Sequence, residues 1–124
     1  MRHKEDKLQI ACVRWFGLQY PQYAPLLHHS PNGGYRTPVE GSIFKAMGTR
    51  AGFPDLILLL PTAEYTLLAI EMKADKGRQS DSQKAWQRIA EQHGIHYVVV
   101  REFTDFKNII DTHIKNYEQQ RKDY

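Results

Sequence analysis

Apolar and polar positions along the 124-residue chain alternate between a helical and a strand-like rhythm. Leu8, Ala11, Cys12, Trp15 and Phe16 recur at helical spacing and predict an amphipathic helix over roughly residues 4–18, ended by Pro21 and Pro25. "PLLHHS" (25–30) reads as a short strand, and "SPNGGYRTP" (30–38) as a loop. Within that loop Gly33-Gly34 reads as a tight turn or a place for close backbone approach. "GSIFKAMG" (41–48) predicts a short helix opened at Ser42 and stopped near Gly48. Two apolar runs follow, 55–60 and 66–73, and "PTAEY" between them predicts an antiparallel pair. Ser80 and Gln83 have the spacing of a capping box, with Trp86, Ile89 and Ala90 on one helical face and Gly94 at the stop. "IHYVVV" (95–100) has the continuous apolar character of a buried strand. Thr104 opens a last helix with Phe106, Ile109, Ile110, His113, Ile114 and Tyr117 on one face, and residues 118–124 are expected to fray. The order predicts an α/β fold: a central mixed sheet flanked by helices.

Composition narrows the class. The length suits one domain over 1–124, with 41% hydrophobic and 25% charged residues as in ordinary globular proteins. A single cysteine rules out an internal disulfide framework. The charged start "MRHKEDK" has no apolar signal segment behind it, and no run approaches membrane-span length. These features suit a cytoplasmic protein. The net charge of +3 suits a polyanionic partner without requiring one.

The chemistry concentrates at strand ends. On a strand, Glu71 and Lys73 share one face and Met72 the other. Alone, Glu-x-Lys reads as a solvated ion pair. Asp55 changes this, because the turn brings the start of the first strand beside the end of the second. Carboxylates excluded from water repel, and a hard divalent cation such as Mg²⁺ or Mn²⁺ relieves that repulsion. Glu5 continues the buried stripe of the first helix, though it also suits a first-turn acid favoured by the helix dipole. Gln83 lies one loop beyond Lys73 and serves as a cap, a site contact, or both. Arg36, Lys45, Arg50, Lys76, Arg78 and Lys84 flank the acids, a pattern suited to a phosphodiester substrate or to ordinary surface. His28-His29 lacks the downstream partner of a histidine-metal nuclease, and no nucleotide-binding glycine loop is present.

"GFPDL" (52–56), "IEMK" (70–73) and "GRQSDSQKAW" (77–86) resemble the VRR-NUC domain of the PD-(D/E)XK nuclease superfamily. "KEDKLQIACVRWF" and the "PNGG" loop resemble its stand-alone, virus-type members. The resemblance implies a restriction-endonuclease-like α-β-β-β-α-β core. It implies Asp55, Glu71 and the helix-borne acid Glu5 as metal ligands with the main-chain carbonyl of Met72, Lys73 as the catalytic lysine and Gln83 as the motif glutamine. The implied activity is Mg²⁺-dependent hydrolysis of DNA to a 5′-phosphate and a 3′-hydroxyl, with Mn²⁺ able to substitute. Its implied form is a homodimer cutting four-way (Holliday) junctions, in a bacterial or virus-infected cell. Flap or other branched-DNA cleavage, or a non-catalytic nucleic-acid-binding module, are the competing readings.

Overall fold

The computed structural model describes residues 3–31 and 36–122. Gly33-Gly34, and with them most of the "PNGG" loop, lie outside the described residues. The elements are α1 (His3–Gln19), a 3-10 turn (Ala24–Leu26), β1 (Leu27–His29), α2 (Pro38–Ala46), β2 (Leu56–Leu58), β3 (Leu67–Met72), α3 (Asp81–Gln92), β4 (Ile95–Val100) and α4 (Phe103–Lys122). The expected mixed sheet flanked by helices is present. Strand order is β1-β2-β3-β4, antiparallel across the first two pairs and parallel between β3 and β4. The parallel step needs a crossover, and α3 supplies it.

Register sorts the side chains. Leu56 pairs with Ile70, Leu58 with Leu68 and Met72 with Val100, so these residues share one sheet face. There they form the apolar core with Cys12 and Phe16 of α1 and Phe106, Ile110 and Ile114 of α4. Each such fully buried side chain contributes about 1.5–3 kcal/mol. Burial also pushes the Cys12 thiol up to about 12, so it packs as a small hydrophobe. The opposite face carries Ala69, Glu71 and Tyr97, and α3 covers it through Trp86, whose ring lies 6.0 Å from that of Tyr97.

Several boundaries differ from the pattern-based expectation, each for a local reason. The second helix starts at Pro38, not Ser42, because Thr37 and Glu40 form a capping box with proline in the first turn. Regular pairing in β2 stops at Leu58, and Leu59 instead donates its N–H to the Leu26 carbonyl. Ile89 is 58% exposed, because the inward stripe of α3 runs through Gln83, Trp86, Gln87 and Ala90. Ala11 is exposed as well. The C-terminal segment continues as helix to Lys122. It is held by Tyr23, which donates to Glu118, and by Arg121, which donates to the Tyr117 hydroxyl.

His113 is buried and its Nε2–H donates to the Leu60 carbonyl at 2.8 Å. Burial holds its pKa below the ordinary 6.5, against the opposing pull of that hydrogen bond. The folded protein therefore resists protonation that the unfolded chain accepts. Its contribution to stability is complete above pH 6.5 and declines as pH falls from there toward the lower folded value. The melting temperature should drop between about pH 7.5 and about pH 5.5, and His113→Gln should show a smaller drop. An identical drop in the variant would remove His113 as a cause.

Candidate functional site

Continuing the β2–β3 register one step beyond Leu56↔Ile70 sets Asp55 opposite Glu71, on the α3 side of the sheet. One step further, Pro54 faces Met72. Proline has no N–H to donate, so the backbone ladder stops there. The Met72 N–H goes to the Asp55 side chain, whose Oδ2 accepts it at 2.8 Å. In an extended strand the N–H and C=O of a residue face the same neighbouring strand, so the Met72 carbonyl is also turned to the β2 side. Both acids are buried, Asp55 at 9% and Glu71 at 1% exposure.

Lys73 follows β3 directly. Its N–H donates to the Val100 carbonyl, extending the alignment with β4, and its Nζ lies 3.8 Å from Glu71 Oε2. The Lys73 side chain is itself largely buried, with 12% of it exposed. Gln83 reaches the same carboxylate, donating from Nε2 to Glu71 Oε2. Its Oε1 meanwhile accepts the Ser80 N–H at 2.8 Å, so one side chain both caps α3 and fixes Glu71. Tyr97 lies behind the pair. Burial, reinforced by the charge on Glu71, pushes its pKa up to about 12, so it stays a neutral phenol accepting from Gln79.

Two comparisons bear on this arrangement. A family model, the VRR-NUC domain, matches residues 3–103. The chain belongs to the VRR-NUC family. A solved structure described as a VRR_NUC domain protein is similar to it at 29% identity and TM-score 0.79, covering 90% of this chain and 88% of that one. A search of curated proteins gave no match. VRR-NUC is a nuclease-type domain, and the Asp55, Glu71 and Lys73 cluster falls within the matched residues.

The other residues singled out in the sequence are arranged less tightly. Among the described residues, no three His, Cys, Asp or Glu side chains gather as a cage for an ion. Glu5, half-buried on α1, lies instead along the loop after Lys73, where a β-carbon on Gly77 would sit 3.3 Å from its Oε2 and 3.5 Å from the Lys73 Cδ. The donors at the centre are all oxygen: two buried carboxylates, with the Met72 carbonyl on the adjoining backbone. That set fits Mg²⁺, which takes one or two carboxylates and keeps several waters. Of the six flanking cations, Arg36, Lys45 and Arg50 line one hollow beside Gly52, whereas Lys76, Arg78 and Lys84 are exposed along the loop and helix after β3.

Some contributors escaped the sequence-based reading. His29 lies against the Asp55 carbonyl, Nδ1 to oxygen 2.8 Å, and the Ser30 N–H reaches the same oxygen. Register could have suggested this, since His29 pairs with Leu56. Arg101 donates to the Asp75 and Gly77 carbonyls at 3.1 and 2.8 Å, clamping the loop between Lys73 and α3. No local motif announces that contact.

Gly52 sets the distance between the Asp55 strand and α3. Its φ is +81°, and a β-carbon there would lie 2.2 Å from the Ser82 carbonyl oxygen. Both terms exclude a side chain. Gly52→Ala should destabilise the fold by at least about 2 kcal/mol in a urea melt, because the start of α3 cannot yield without carrying Gln83 away from Glu71. A loss below about 0.5 kcal/mol would show that this approach is not needed.

Proposed function

We propose that this VRR-NUC domain is a divalent-metal-dependent, structure-selective DNA endonuclease. The observation that carries the reading is the buried Asp55–Glu71 pair, side by side across two strands with Lys73 as its cation. Two desolvated carboxylates repel, so the site favours a bound cation when both are ionised. Asp55, Glu71 and the Met72 carbonyl would hold Mg²⁺, or Mn²⁺ in its place, and the ion would supply Lewis acidity at a phosphate oxygen and help acidify a water.

The chain's own groups do the positioning. Gln83 and Lys73 fix Glu71, and the Met72 N–H fixes Asp55. Lys73 orients the attacking water and stabilises the charge that develops on the phosphoryl oxygens. Glu5, beside the Lys73 stem, acts as the helix-borne acid. In-line attack forms a new P–O bond and breaks the bond to O3′, which takes up a proton. The products are a 5′-phosphate and a 3′-hydroxyl.

Branched DNA, and a four-way junction in particular, is the proposed substrate. Resolving a junction needs two cuts, and a two-fold homodimer brings two sites. Val39, Ile43 and Met47 form an exposed apolar strip along α2, and they offer a second copy something to bury. Phosphate contacts and the spacing of two sites would select shape with little base readout.

A cleavage panel of four-way junction, flap, duplex and single strand tests this, alongside a solution mass expected at twice the 14.5 kDa chain. Wild type with Mg²⁺ should cut the junction and stop in chelator. Asp55→Ala and Lys73→Ala should each lower the rate by on the order of 10²-fold or more while folding and junction binding persist. If either variant, purified free of host nuclease, cuts at the wild-type rate, the assignment is wrong.

A further inference from the structure

Two adjoining hollows, of about 450 and 350 Å³, run between α2 and the segment that leads into Asp55. They share Arg36, Thr49 and Arg50. Lys45 lines the first, and Phe44 and Phe53 the second. No acidic side chain lines either one among the described residues. Glu40, on the same helix, is turned back onto the Thr37 N–H at 3.0 Å. Lys45 and Arg50 make no ion pair among the described residues, so their charge faces the groove.

The aromatic lining matters as much as the charge. The Arg36 guanidinium stacks 4.3 Å over the Phe44 ring and donates to the Pro31 carbonyl, which fixes both groups before any ligand arrives. Phe44 remains 38% exposed on a helix that buries none of its residues. Phe53 is held edge-on by Trp86, ring centres 5.1 Å apart. An intact duplex presents only phosphates to such a groove and leaves the rings unused. An unpaired strand presents phosphates and base faces together.

We propose that this groove binds a locally unpaired DNA strand and leads it to Asp55, with phosphates on Arg36, Lys45 and Arg50 and a base against Phe44. The inference rests on the nuclease reading above for its choice of DNA and concerns branched substrates with an unpaired arm; a fully paired four-way junction would meet the groove through its phosphates alone. The strand's path is set by the chain itself, since Phe53 of the groove wall stands two residues before Asp55.

Binding measured by fluorescence anisotropy in chelator, where nothing is cut, tests it on the full chain. The probes are a blunt duplex, the same duplex with an unpaired arm, and a four-way junction. Wild type should prefer the armed duplex over the blunt one by about ten-fold. Combined Arg36→Gln, Lys45→Gln and Arg50→Gln should weaken binding to all three and lower the salt slope by about two. Phe44→Ala should lose about ten-fold on the armed duplex only, and Phe44→Leu, which keeps helix and volume but has no ring face, should lose nearly as much. Equal affinity for armed and blunt duplex, or wild-type binding by Phe44→Leu, would overturn the proposal. Cleavage plays no part in this assay, so failure here leaves the Lys73→Ala test of the nuclease reading intact, and the reverse holds too.

Discussion

Everything at the working end of this protein depends on one unfavourable contact, two carboxylates buried side by side. Asp55 and Glu71 face each other because β2 and β3 pair in a register that sets every core residue at the same time. Slipping the register by one residue would move the acids apart, but it would also turn Leu56, Leu58, Leu68 and Ile70 out of the core. The apolar strands thus hold the charges where electrostatics alone would not. The surrounding donors reduce the cost: the Met72 N–H on Asp55, and Gln83 and Lys73 on Glu71.

Pro54 links backbone geometry to chemistry. A residue with an N–H at that position would continue the ladder onto Met72. Proline ends it, and the Met72 N–H is taken up by the Asp55 side chain. Two residues earlier, Gly52 lets the backbone touch the start of α3, which brings Gln83 to Glu71. "GFPDL" is therefore three structural instructions in five residues: close approach, ladder stop and acid.

Most of this was legible in the sequence. The strand rhythm around 55–60 and 66–73, the antiparallel turn and the Ser80–Gln83 box predicted where Asp55, Glu71, Lys73 and Gln83 meet. Alternation along β3 predicted that Met72 would enter the core while Glu71 and Lys73 stayed together. The start of α2 was missed although Thr37-Pro38-Val39-Glu40 is itself a capping signal, because the turn-rich residues before it dominated the reading. His29 and Arg101 were missed for a different reason. Each acts through a main-chain carbonyl distant in sequence, and a carbonyl leaves no mark on residue type. The convergence of Arg36, Lys45 and Arg50 likewise depends on how α2 returns toward Gly52, which side-chain periodicity does not encode.

The central claim is that the Asp55–Glu71 pair is a cation site rather than a structural polar cluster. Calorimetric titration of Mn²⁺ into the wild-type protein and into Asp55→Asn, without DNA, addresses it directly. Binding to the wild type should be saturable, and it should be lost, or weakened by at least about ten-fold, when one carboxylate is neutralised. Undetectable binding to the wild type, or the same isotherm from both proteins, would contradict it.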